Sequence, residues 1–178
     1  MALSGDYHTH TKYSRRNHGK GTVEEQVKAA VEKGLAQVAI TDHGAMFGVI
    51  DFYKACKANG VKPIIGCEVY VAPRTRFDKE SGIDDNYAHL ILLAKNKTGY
   101  QNLIKLVSMS FTDGYYYKPR IDLELLEQYH EGLICLSACL AGSVNQALLN
   151  GQTEKAEEIA LWHKRVFGED YYIEIQNN

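Results

Sequence analysis

His8-Thr9-His10 sets two imidazoles two residues apart. On an extended strand such residues point to the same side, so the pair converges. Imidazole is the commonest metal ligand, but two polar residues on a solvent-facing edge strand have the same pattern, and HxH alone leaves both readings open. Thr41-Asp42-His43-Gly44 is a second group, in which the apolar run Val38-Ala39-Ile40 ends in a carboxylate beside an imidazole. The glycine permits a sharp turn there. Asp42 could bind metal itself or orient a liganding histidine. Alone, this motif reads as an ordinary polar strand-to-helix turn. HxH followed one strand–helix unit later by TDHG is much more specific than either part.

Glu68 follows the apolar run Pro63-Ile-Ile-Gly-Cys67 and precedes Val69-Tyr70-Val71. A carboxylate inside such a strand is costly unless it is paired or coordinated, so it is a ligand or a salt-bridged structural group. His89 precedes Leu-Ile-Leu-Leu and reads as a ligand at a strand start or as a satisfied core histidine. Cys139, in Ser137-Ala-Cys-Leu-Ala-Gly142, suits zinc as a thiolate and packing as a thiol. Cys67 and Cys135 lie in apolar runs and read as core. His18, in Arg15-Arg-Asn-His-Gly-Lys-Gly21, is a mobile surface histidine or a ligand folding back over His8 and His10. Lys12, Arg15, Arg16 and Lys20 fit a phosphate-contacting lip, although solvated loop charge is the default. His130 and His163 sit in polar, helix-like surroundings and receive no role.

The 178 residues suffice for one domain with a substantial core. A net charge of −2 gives no global basic field to draw the chain to nucleic acid, so any DNA contact comes from a local patch or attached domains. No apolar run approaches the roughly 20 residues of a membrane span, and the N-terminus lacks the regions of a signal peptide. Four cysteines without CxxC spacing place the chain in a reducing cytoplasm.

Strand-like and helix-like segments alternate along the chain. Strands are predicted at 5–9, 37–41, 62–71, 89–94, 132–137 and 171–176. Helices are predicted from the capping box Thr22–Glu25 to Gly34, then at 47–59, 98–110, 123–129, 142–149 and 153–167. A polar loop lies at 11–21 and a charged loop at 73–86. Near-continuous apolar strands imply a parallel sheet covered by helices in a single domain over 1–178. Six strands fit a doubly wound sheet or an incomplete barrel. His8, His10, Asp42, His43, Glu68 and Cys139 at or just past strand C-terminal ends favour the barrel, where those ends converge on one face.

HxH, TDHG, GCE and the later histidine resemble the polymerase-and-histidinol-phosphatase (PHP) family. Within it, ITDHGAMFGVIDFYKACKANGVKPIIGCEVYVAPRTRF, AHLILLAKNKTGYQNLIKLVS, GYYYKPRID, GLICLSACLAG and YYIEIQ, over residues 40–176, resemble the N-terminal PHP domain of bacterial DNA polymerase III alpha subunits. YHTHTKYSRRNHGKGTVEEQVKAAVEKGL, within 6–35, is more similar to free-standing PHP phosphoesterases; it has YSRRNHGKG where the polymerase versions carry a YSLLDG-like stretch. The resemblance implies a distorted (β/α)7 TIM-like barrel. It also implies a last strand and an Asp-x-His motif, neither of which is met before Asn178. Carried over by position, it implies His8, His10, His18, His43, Glu68, His89 and Cys139 as metal ligands, with Asp42 orienting His43.

Mixed N, O and S donors suit zinc, manganese or iron rather than magnesium or calcium, and a complete family site holds up to three ions. The implied activity is metal-dependent phosphoester hydrolysis: 3′–5′ exonucleolytic trimming of DNA, or hydrolysis of pyrophosphate. Asp42 and His43 are its catalytic candidates. Arg120, in Tyr115-Tyr-Tyr-Lys-Pro-Arg120, is a candidate phosphate contact or a surface salt bridge. The implied partners are DNA or nucleotides as substrate, the remainder of a polymerase and its replisome subunits, and a second copy at an open barrel edge. The other readings are a non-catalytic scaffold that supports the polymerase and docks an exonuclease, and a small-molecule phosphatase of histidinol-phosphatase type.

Overall fold

The computed structural model describes residues 4–14 and 21–176; His18, Arg15, Arg16 and Lys20 lie outside them. Strands and helices alternate as the sequence patterning requires. The chain forms two compact units, Met1–Cys67 and Glu68–Asn178, divided within one long strand.

In the first unit, β1 (Gly5–Asp6), β2 (Gln37–Ile40) and the start of β3 (Lys62–Val71) pair in parallel, with Gly5 opposite Gln37 and Ala39 opposite Ile64. Helices α1 (Val23–Glu32) and α2 (Val49–Ala58) connect them. The capping box at the head of α1 forms: the Glu25 N–H donates to Thr22 Oγ1 at 3.2 Å, and the Thr22 N–H donates to Glu25 Oε2 at 2.7 Å. These two bonds satisfy amides that the first helical turn leaves without partners. Val23, Val27 and Ala30 form the buried stripe of that helix. The first strand ends at Asp6 rather than Thr9, so the HxH pair lies beyond it. The extended course continues all the same, because the Thr41 N–H and hydroxyl both donate to the Thr9 carbonyl at 2.9 Å.

The second unit holds the end of β3, β4 (Ala88–Ala94), β5 (Tyr115–Tyr116), β6 (Lys118–Ile121), β7 (Leu133–Leu136) and β8 (Tyr171–Tyr172). Its helices are α3 (Lys97–Thr112), α4 (Leu123–Tyr129), α5 (Ser143–Leu149) and α6 (Thr153–Phe167). Here β4 neighbours β3 and β7, β7 neighbours β8, and β6 pairs with β3. The all-parallel expectation fails in two places: β4 runs antiparallel to β7, and β5 antiparallel to β6. Apolar runs such as His89-Leu-Ile-Leu-Leu and Leu133-Ile-Cys-Leu read alike in either direction, so direction leaves no local trace. The β5–β6 hairpin was not expected either. Its turn rests on Tyr117 at φ 56°, where a side chain is strained, and Lys118-Pro-Arg120 lacks the apolar content of a buried strand although all four residues of β6 are buried.

His163 on α6 is buried at 4% exposure rather than solvated. Its Nδ1 contacts the Ile159 carbonyl at 2.8 Å, and its ring stacks against Tyr171 at 5.2 Å. Burial lowers its pKa below the ordinary 6.5, with the Ile159 bond opposing. Between the depressed native pKa and 6.5 the unfolded chain therefore binds more protons, and stability falls as pH drops below about 6.5. The loss in urea midpoint between pH 7.5 and 5.5 should shrink in His163→Phe. An equal loss in both proteins would show that His163 contributes nothing to the acid sensitivity.

Candidate metal centre

The first unit gathers three imidazoles. His8 and His10 meet with their Nε2 atoms 3.1 Å apart, and the His10 ring stacks on His43 at 4.3 Å with 8° between the planes. Their supports are hydroxyls and one carboxylate. Asp42 is 1% exposed; its Oδ1 accepts the Thr11 N–H at 2.5 Å and its Oδ2 accepts the Thr11 hydroxyl at 2.7 Å. Burial raises the Asp42 pKa, while the Thr11 bonds and nearby His10 oppose the rise. Asp42 therefore secures the segment that carries His8 and His10. His43 is placed through its backbone: its N–H donates to Ser14 Oγ at 2.9 Å, and Gly44 turns the chain at φ 61°.

Thr9 and Thr11 are buried and alternate with the two histidines. Alternation is thus what aims both imidazoles to one side, as an extended backbone demands. Thr11 and Ser14 lie in a stretch that reads as polar loop, and Thr9 at the end of the expected strand; the alternation itself is the sequence signal for this placement. Lys12 of the expected basic lip rests with its Nζ 5.3 Å from the centre of the Tyr13 ring.

The second unit gathers a mixed donor set. Glu68 is fully buried within β3, and its Oε1 lies 2.6 Å from His89 Nδ1 on β4. Cys139 Sγ lies 3.8 Å from each of these atoms. Burial alone would lower the His89 pKa, but its contacts with Cys139 and Glu68 override it and raise the value to about 9. The same contact with His89 lowers the Cys139 thiol pKa, against burial. The thiol is thus drawn toward thiolate, the state in which it binds metal, whereas the His89 imidazole must shed its added proton before it can do so.

Backbone geometry fixes the thiol. Ala138 sits at φ 61°, and the loop closes with the Gly142 N–H on the Cys139 carbonyl at 2.8 Å. The Ala141 carbonyl then accepts the His89 N–H at 3.0 Å, tying this loop to β4. A Cβ at Gly142 would stand 2.1 Å from the Ser137 carbonyl oxygen, so the position admits no side chain without moving the loop. Tyr70 lies edge-on to His89 at 5.3 Å, and the Tyr87 ring stacks beside His89 at 6.2 Å. Carboxylate, imidazole and thiolate together fit a borderline-soft divalent ion such as zinc.

Arg120 is a correction. It is fully buried, and its guanidinium donates to four carbonyls: Gly114 at 3.0 Å, Asp84 at 2.7 Å, Arg76 at 3.1 Å and Asp78 at 2.9 Å. A guanidinium has five N–H groups. Three are committed to carbonyls of the 73–86 loop and one to the Gly114 carbonyl, so Arg120 is a structural clamp rather than a phosphate contact. Around it, Arg74 pairs with Asp84, and Arg76 reaches Asp122 and Glu124 at 2.9 Å.

The comparisons agree with this architecture. A DNA polymerase III subunit alpha of Chlamydia muridarum is 50% identical over 170 residues, 95% of this chain and 14% of that protein. One from Treponema pallidum is 50% identical over 173 residues, 96% of this chain and 15% of that protein. The chain therefore spans about a seventh of the length of these curated relatives. Among solved structures, an amidohydrolase from Chromobacterium violaceum with bound sulfate and no metal matches with a TM-score of 0.52 at 13% identity, over 98% of this chain and 87% of that one, a likeness of fold. The PHP domain family model matches residues 6–178. The chain belongs to the PHP domain family.

Proposed function

We propose that this chain is a metal-dependent phosphoesterase domain of a DNA polymerase III alpha-like protein, acting on the phosphodiester bond of a 3′-ended DNA strand or on pyrophosphate. The observation that carries the reading is the Glu68–His89–Cys139 set, in which a buried carboxylate meets a half-buried imidazole and thiol inside one unit. His8, His10, His18, His43, Glu68, His89 and Cys139 are proposed to hold the divalent transition-metal ions, with zinc or manganese as first candidates, then iron.

Bound ions of this kind lower the pKa of water toward neutrality and stabilise charge developing on phosphoryl oxygens. The chain's own part is placement. Asp42 and Thr11 lock the segment bearing His8 and His10, Ser14 fixes the His43 backbone, and the 137–142 loop aims Cys139. The reading implies one domain over 1–178, the rest of a polymerase and replisome subunits as partners, and the cytoplasm as compartment. Among the described residues no helix is long and apolar enough to cross a membrane.

The test is metal analysis of protein purified without chelator, paired with hydrolysis of a 3′-ended DNA strand in manganese or zinc. Two or more ions per chain with chelator-sensitive cleavage are expected. The double variant His8→Ala, His10→Ala should lose at least one ion per chain and most of the cleavage. A folded, metal-free and inactive protein would overturn the proposal in favour of a polymerase-supporting scaffold.

A further inference from the structure

Helix α2 carries two stripes. Val49, Phe52 and Cys56 are its buried face. Ile50, Tyr53, Lys54 and Lys57 follow i, i+3, i+4, i+7 spacing on its outer side, and all four are exposed. That spacing sets them along one ridge of the helix. A solvated ridge needs no apolar members, yet Ile50 is 58% and Tyr53 49% exposed, and Phe47 in the turn before the helix is 66% exposed. Single exposed apolar residues are ordinary, whereas a cluster of them followed by cations marks a surface that meets a partner.

The cations of the ridge are uncommitted. Among the described residues the ammonium groups of Lys54 and Lys57 form no ion pair, and neither does that of Lys62, just past the turn at Gly60. Lys57 and Lys62 line one recess of about 300 Å³. Asp51, the helix's own carboxylate, accepts a hydrogen bond from the Tyr13 hydroxyl at 3.4 Å. Charge divides between the two units in the same sense. Residues 1–67 carry nine Lys and Arg against six Asp and Glu, and residues 68–178 eleven against sixteen.

A basic stripe that includes an aromatic ring complements one class of ligand. Cations hold a phosphodiester backbone, and an exposed ring stacks on a base whatever its identity. A duplex keeps its bases stacked on one another, so only a single strand uses the ring. We infer that the outer ridge of α2, Ile50, Tyr53, Lys54 and Lys57 with Lys62 beyond it, binds single-stranded DNA, its lysines on phosphates and Tyr53 against a base. The ridge starts seven residues after His43, on the helix into which the His43–Gly44 turn leads. The inference takes its substrate class from the phosphoesterase reading and adds a surface for the strand away from the scissile bond.

The experiment is fluorescence anisotropy of a labelled, mixed-sequence DNA oligonucleotide, single-stranded and as a duplex, with the 178-residue chain in chelator over a range of sodium chloride. Chelator removes cleavage and metal bridging, so the outcome is separate from that of the metal-centre test. Three phosphate contacts on a single strand imply that log affinity falls with log salt at a slope of about −2. Lys54→Gln with Lys57→Gln should make the slope shallower by about 1.4 and weaken binding at low salt about tenfold or more. Tyr53→Ser should weaken binding about fivefold or more at an unchanged slope. The control pair Lys79→Gln with Lys155→Gln, the same charge change in the other unit, should bind as wild type does. Melting temperatures report the fold, which substitutions at these exposed positions leave in place. No binding by wild type, equal binding by the ridge variants, an equal loss in the control pair, or tighter binding of the duplex would each overturn the inference. Hydrolysis in manganese by a chain whose ridge variants bind normally would remove the ridge and keep the metal-centre reading. Ridge-dependent binding by a chain that takes up no metal would do the reverse.

Discussion

Arg120→Leu is expected to be among the most destabilising single substitutions in the second unit. Four carbonyls, three of them in buried bonds, lose a guanidinium donor at once, and the leucine side chain offers no replacement. Removing one partner from a buried, charge-assisted network costs about 3–5 kcal/mol, because the groups left behind stay desolvated and unsatisfied. For a chain of this size that is a fall in melting temperature of roughly 10 °C. Arg120→Lys should recover only part of the loss, since three N–H groups on one nitrogen cannot span acceptors that a planar guanidinium meets from several directions. Thermal unfolding followed by circular dichroism measures this directly. A drop of under about 2 °C in Arg120→Leu would show that water or a rearranged loop replaces the clamp.

Glu68→Gln is the complementary case, large in function and small in fold. Glutamine keeps the shape of a fully buried side chain but removes the negative charge opposite His89 and Cys139. A neutral amide is a poor partner for a divalent cation in a site whose other donors are imidazole and thiolate. Metal affinity is expected to fall by at least about 100-fold, beyond the range typical of losing only an outer partner of a ligand. Competition with a chromophoric chelator measures it, and the far-ultraviolet spectrum reports the fold. A variant that retained its metal at wild-type affinity would remove Glu68 from the ligand set.

Much of the scaffold could be read from residue patterning. The spans of β3, α4 and α6 follow from apolar periodicity bounded by Pro, Gly and capping residues. The coming together of His8, His10 and His43 in one unit, and of Glu68, His89 and Cys139 in the other, follows the type and spacing of these residues. What stayed hidden depends on partners distant in sequence. Strand direction in β4–β7 is set by the whole chain path. Arg120 looks like a loop cation until residues 76, 78, 84 and 114 are seen around it. Asp42 bonds Thr11, thirty-one positions earlier, a partner that its neighbours in sequence do not announce.

The Arg120 clamp also bears on how this region can diverge. Every acceptor it uses is a main-chain carbonyl, which each of the twenty amino acids supplies in the same form. As far as the clamp is concerned, the side chains at 76, 78 and 84 are free to drift, provided the backbone keeps its path, whereas a Cβ at Gly114 would stand 1.8 Å from the Arg120 carbonyl oxygen. Position 120 has no such latitude. One buried cation can therefore hold the path of a loop without dictating the side chains that the loop displays.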